Sequence, residues 1–264
     1  MKALQINLGS TTDRNNIYLE YLKANQSEKP FCKPIIRRIK HNDTDACFEA
    51  TVFGILKYFQ MQVDPCATGP DFFCGSTQGN LYCEAKFINT KAVVDRSGVQ
   101  EASTGGSYER PTETIFNAVK KATKKFGKCN GPRVVFIGSN HSHSGLFFEA
   151  GVVTELLTSQ VKLVIPINQF AKTREIRHQT DLRHSMAVKL EEKNGRFEVI
   201  EVRESISAVI LVNAADENVV YLRGALHPEP AKPLIPAIFP KLPFVAFQEM
   251  PSVGKIAKTH WINV

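Results

Sequence analysis

Apolar residues set out a helix first. Across residues 43–59 they recur at Ala46, Cys47, Ala50, Phe53, Ile55, Leu56 and Phe59, which is helical spacing, and Asp43 or Asp45 stands where an N-cap belongs. Glu49 falls inside this otherwise apolar stretch. Short apolar segments follow at 61–63, 72–74 and 81–88, and residues 75–80 between the last two have hairpin chemistry, so an antiparallel meander is predicted. A second helix is expected over 111–126, with Ile115, Phe116, Val119, Ala122 and Phe126 facing inward and Gly127 ending it. Between these, residues 95–110 are polar and glycine-rich and are expected to form a mobile surface loop.

Residues 133–138 have the composition of a buried strand, 146–157 of a helix and 161–167 of another strand. That alternation favours a mixed central β-sheet flanked by helices, an α/β fold. Residues 174–190, rich in Arg and His, are expected to be helical, and C-terminal β-hairpins are expected around Asn194-Gly195 and Asp216 to Asn218. Beyond His227 stand seven of the chain's 14 prolines, which predicts an extended proline-rich arm lying on the surface or on a partner subunit. Upstream, residues 11–40 are polar and broken by Pro30 and Pro34, leaving room for a short helix over 16–23. The chain therefore divides into a core over 43–138, an α/β elaboration over 139–227 and an arm over 228–264, within one domain.

Composition narrows this little. The 264 residues are 43% hydrophobic and 22% charged, as in ordinary globular chains, which excludes disordered and fibrous classes. No apolar run approaches the ~18 residues of a membrane helix, and the opening residues lack the pattern of a secretory signal, so a cytoplasmic location is expected. There the six cysteines, without a CxxC pair, would be thiols or metal ligands rather than a disulfide frame. The 33 Lys+Arg exceed the 26 Asp+Glu by seven, which favours a polyanionic partner without naming one.

One constellation gives that charge a context. Pro70-Asp71 is followed, after twelve intervening residues, by Glu84-Ala85-Lys86. Alternation along a strand puts Glu84 and Lys86 on one face, and a hairpin brings Asp71 beside Glu84. Two carboxylates hold a hard divalent cation such as Mg²⁺, which lowers the pKa of a bound water and offsets charge growing on phosphorus. Lys86 would position or help deprotonate that water and stabilise the transition state. Glu49 is placed to serve as a further metal ligand, directly or through water.

These residues resemble the PD-(D/E)xK nuclease superfamily, the restriction-endonuclease-like fold, over residues 43–138. The resemblance implies a core running helix, three-strand meander, helix, strand. It implies Asp71 and Glu84 as metal ligands, Lys86 as the catalytic lysine and Glu49 as an accessory acid. It also implies Mg²⁺ (Mn²⁺ able to substitute), DNA as substrate, and a restriction-type endonuclease acting as a homodimer. Lys120, Lys121, Lys124 and Lys125 crowd the end of the second helix, which would face the DNA backbone, and Arg174 and Arg177 offer further phosphate contacts. Two other readings stay open: a non-catalytic nucleic-acid-binding or assembly protein on a degenerate core, and a zinc hydrolase centred on His141 and His143.

Overall fold

The computed structural model describes residues 2–89, 111–139, 149–158, 161–164, 177–180, 185–193, 196–214, 217–249 and 257–263. The predicted loop at 95–110, His141, His143 and Arg174 lie outside these residues. No helix among the described residues is long and apolar enough to cross a membrane.

The N-terminal region holds more helix than its polarity suggests. After strand β1 (Leu4–Asn7), helix α1 spans Thr11–Asn25, well beyond the expected 16–23. Its start is fixed by a capping box in which Ser10 Oγ accepts from the Asp13 amide at 3.1 Å and Asp13 Oδ2 accepts from the Ser10 amide at 2.9 Å. Helix α2 (Cys32–Lys40) was not legible because it contains Pro34, but a proline in the first turn displaces no intrahelical hydrogen bond. Helix α3 (Thr44–Tyr58) matches its prediction, and Asp43 Oδ1 caps it by accepting from the Ala46 amide at 2.9 Å.

The meander follows as β2 (Gln62–Pro65), β3 (Phe72–Ser76) and β4 (Gly79–Ile88). Ser76 pairs with Gly79, so only Thr77 and Gln78 form the turn, tighter than the six-residue connection expected. Helix α4 (Pro111–Phe126) ends at Gly127, whose φ of +43° suits glycine, and leads to β5 (Arg133–Ser139), parallel to β4. Helix α5 (Ala150–Thr158) completes this part.

Beyond it the fold departs from expectation in three places. Arg177 stands on strand β7 (Arg177–Thr180), paired antiparallel with β6 (Val161–Val164), where a helix was expected; the ladder takes the backbone hydrogen bonds a helix would have made. The hairpin β8 (Val188–Lys193) and β9 (Arg196–Val202) forms as predicted. The next hairpin, β10 (Ala208–Asn213) and β11 (Val219–Leu226), is no decoration: β10 pairs parallel with β5 and extends the central sheet. Nor is the proline-rich segment an arm. It buries Leu234, Ile238, Phe239 and Leu242, then adds β12 (Pro243–Phe247) parallel to β11 and β13 (Thr259–Asn263) beyond it. Its prolines punctuate short connections between apolar anchors, and burial of those anchors outweighs the extended bias of the prolines.

Among the described residues the result is a nine-stranded mixed sheet, ordered β13-β12-β11-β10-β5-β4-β3-β2, with β1 paired to β11. Side chains alternate between two cores. Leu81, Cys83, Ala85, Val134 and Phe136 pack with α1 to α3 on one face. Val135, Ile137, Val209 and Leu211 pack with α4 and α5 on the other. All six cysteines are free thiols, and Cys74 Sγ lies 3.8 Å from Cys83 Sγ inside the first core.

Candidate active site

The site begins where β3 runs out. Phe72 pairs with Cys83, so continuing the register by one residue sets Asp71 opposite Glu84. Beyond that point Asp71 replaces the missing strand partner with its side chain, and Oδ2 accepts the Ala85 amide hydrogen at 2.8 Å. The approach depends on Gly69, whose φ is +87° and whose added Cβ would lie 3.2 Å from the Lys125 carbonyl at the end of α4. The dipeptide Pro70-Asp71 is thus pinned between a glycine bend and the edge of β4.

Alternation along β4 places Glu84 and Lys86 on the α4 face, between Tyr82 and Ile88. Glu84 is 0% exposed. Lys86 Nζ stands 3.0 Å from Glu84 Oε1, an ion pair in which neither carboxylate oxygen receives a directed hydrogen bond. Burial, and then the charge of Asp71, push Glu84 up to about 7. Asp71 is also raised, chiefly by burial, against the Ala85 amide and the charges of Lys86 and Lys125. Burial alone would lower Lys86, but Glu84 first and Asp71 after it hold the ammonium above its ordinary range.

Glu49 stands apart. It projects from α3, over the opposite face of the sheet, and its Oε1 is taken by Arg38 Nη1 at 3.2 Å. The second Arg38 nitrogen reaches Asp43 Oδ1 at 2.9 Å, tying Glu49 to the cap of its own helix. Burial first, then the field of Asp71, raise Glu49 to about 7. Glu49 therefore shares the electrostatics of the Asp71–Glu84 pair. Yet among the described residues no three His, Cys, Asp or Glu side chains are gathered to hold one metal ion.

Lys120, Lys121 and Lys124 are exposed along α4, and Arg177 lies on β7, in a separate two-stranded sheet. Two contributors escaped the sequence reading. Arg38 was hidden because α2 was not recognised. Lys125, noticed only as one of a basic run, bears on both Asp71 and Glu84; its place in the last turn of α4, beside the Gly69 bend, was the available signal. No family model, curated protein or solved structure matches this chain.

Proposed function

We propose that this chain is a metal-dependent nuclease that hydrolyses DNA phosphodiester bonds, in the manner of a restriction-type endonuclease working as a homodimer. The observation that carries the reading is Glu84: a fully buried carboxylate, opposite a second carboxylate, whose oxygens receive no directed hydrogen bond. Such a group is costly unless something cationic completes it. Lys86 supplies one charge for two carboxylates. Helix α3, the β2–β3–β4 meander, α4 and the parallel strand β5 follow the order of the PD-(D/E)xK core, which supports the same reading.

The donor set fits Mg²⁺ or Mn²⁺. It consists of oxygen atoms only, and Mg²⁺ keeps most of its water and is commonly held by one or two carboxylates, so Asp71 and Glu84 suffice without Glu49. When bound, the ion would acidify a coordinated water and offset charge growing on phosphorus. Asp71 is pre-positioned for this by the Ala85 amide. Lys86, held protonated beside Glu84, contributes positive charge to the developing phosphorane and orients the nucleophile rather than taking its proton. The exposed lysines of α4 would carry the DNA backbone past Lys125 toward the carboxylates.

Supercoiled plasmid incubated with Mg²⁺ tests the reading. Nicking or linearisation by the wild type, lost in EDTA and in both Asp71→Ala and Lys86→Ala, is expected. Undiminished cleavage by both variants would overturn it. Salt-dependent DNA binding without cleavage, indifferent to Asp71→Ala, would instead identify a non-catalytic DNA-binding protein.

A further inference from the structure

Helix α2 carries a charge pattern that the fold itself does not use. Its apolar side is taken up inside the molecule, where Cys32, Ile36 and Ile39 are buried in the core shared with α1 and α3. Its other side is basic throughout. Lys33, Arg37 and Lys40 follow one another at spacings of four and three residues, so they form one stripe about 10 Å long, and all three are exposed. Arg38 stands beside the stripe, partly exposed, and reaches Glu49 Oε1 and Asp43 Oδ1. The helix contains no acidic residue, and among the described residues Lys33, Arg37 and Lys40 enter no ion pair.

Stability does not account for this stripe. Like charges four residues apart on a helix repel, as Lys33 and Arg37 do, and Lys33 stands in the first turn, where the helix dipole favours an acid. Helix surfaces that serve only solubility intersperse both signs. A stripe of one sign is instead complementary to a polyanion. Two observations distinguish among polyanions. The apolar residues of α2 face the core, with Ile35 packed against it as well, so no apolar side is left to enter a lipid surface. The stripe also adjoins Arg38, whose ion pair with Glu49 links α2 to a carboxylate in the field of Asp71 and Glu84. We infer that the basic side of α2 binds the phosphate backbone of DNA through Lys33, Arg37 and Lys40, as a contact surface additional to α4. The choice of DNA over other polyanions rests on the nuclease reading of the neighbouring carboxylates.

Fluorescence anisotropy of a labelled short DNA duplex, titrated with the full chain in EDTA over a range of salt concentrations, tests it. The wild type is expected to bind. The triple variant Lys33→Gln, Arg37→Gln, Lys40→Gln should bind at least about tenfold more weakly at about 0.1 M salt, with a log–log salt slope shallower by about 2.7. Glutamine has nearly the helix propensity of Lys and Arg, so circular dichroism and melting should stay near wild type. Removing as many charges beyond β11, at the exposed Lys232, Lys241 and Lys258, each to Gln, should leave the slope near wild type. Lys33→Arg, Arg37→Lys, Lys40→Arg together keep the charges and should preserve binding. No binding by the wild type, an unchanged slope in the stripe variant, or equal losses in the stripe and control variants would overturn the inference. So would a stripe variant that keeps DNA binding but loses binding to phosphatidylserine vesicles, which would identify a membrane surface instead. Cleavage plays no part in this measurement, so a stripe-dependent DNA affinity without Mg²⁺-dependent cleavage would overturn the catalytic reading and leave the contact surface in place.

Discussion

Two buried titratable side chains of this molecule are treated in opposite ways. His227, just past β11, is 4% exposed and fully answered by the protein: its Nδ1 accepts from the Glu229 amide at 3.1 Å, which leaves Nε2 to donate to the Ala187 carbonyl at 3.2 Å. Burial then holds it neutral, with its pKa down at about 4. Glu84 is buried more deeply, yet receives one ammonium at ion-pair distance and no directed hydrogen bond. Burial that is satisfied serves stability, whereas burial left incomplete costs stability, and proteins concentrate such departures at functional sites.

The largest effects should come from the close-packed glycines that flank the two regions. An added Cβ at Gly138 would meet the Phe48 ring at 2.1 Å, and one at Gly224 would meet the Phe244 ring at 2.2 Å. Gly138→Ala and Gly224→Ala should each cost about 2–3 kcal/mol in denaturant unfolding, the usual price of overpacking. They should differ in cleavage at a temperature where both are folded. Gly138 pairs with Phe87, next to Lys86 on β4, so Gly138→Ala should impair the site, while Gly224→Ala should spare it.

Substituting the two buried groups themselves should give opposite signs. His227→Ala leaves the Glu229 amide and the Ala187 carbonyl without their partner and should destabilise by about 2 kcal/mol. Glu84→Gln removes a buried charge and should stabilise by about 1 kcal/mol near pH 8, while abolishing cleavage. Loss of stability at that pH in Glu84→Gln would break the contrast.

The pH dependence sharpens it further. The folded pKa of Glu84 is raised from 4.5 to about 7, so the folded state binds the proton more tightly. The stability this contributes is fully present below about pH 4.5 and is lost as pH rises through about 7. For His227 the folded value is lowered from 6.5 to about 4, so its contribution is present above about pH 6.5 and fades as pH falls through about 4. Melting curves should show Glu84→Gln flattening the alkaline limb and His227→Ala the acidic one. Smallest of all, Lys121→Ala should leave stability unchanged and reduce the salt slope of DNA binding by about one charge.

What the sequence disclosed follows the same division. The α3–meander–α4–β5 run was legible because each element carries its own signal: helical spacing over α3 and α4, turn residues between strands, and an apolar run at β5. The meeting of Asp71, Glu84 and Lys86 was legible for the same reason, since strand alternation and one hairpin suffice to bring them together. The C-terminal half was misjudged because its signals are non-local. Nothing in Pro228 to Pro243 announces that Leu234, Ile238 and Phe239 will find the α3 face of the sheet. Arg38 escaped because Pro34 obscured α2, and with it the clasp on Glu49.

Calorimetric titration of Mg²⁺ into metal-free protein at about pH 8, for the wild type and for Glu84→Gln, bears most directly on the claim that Glu84 and Asp71 await a cation. Ion binding accompanied by a rise in melting temperature is expected in the wild type, with both lost in Glu84→Gln. Identical Mg²⁺ binding by the two proteins, or none by the wild type, would contradict it.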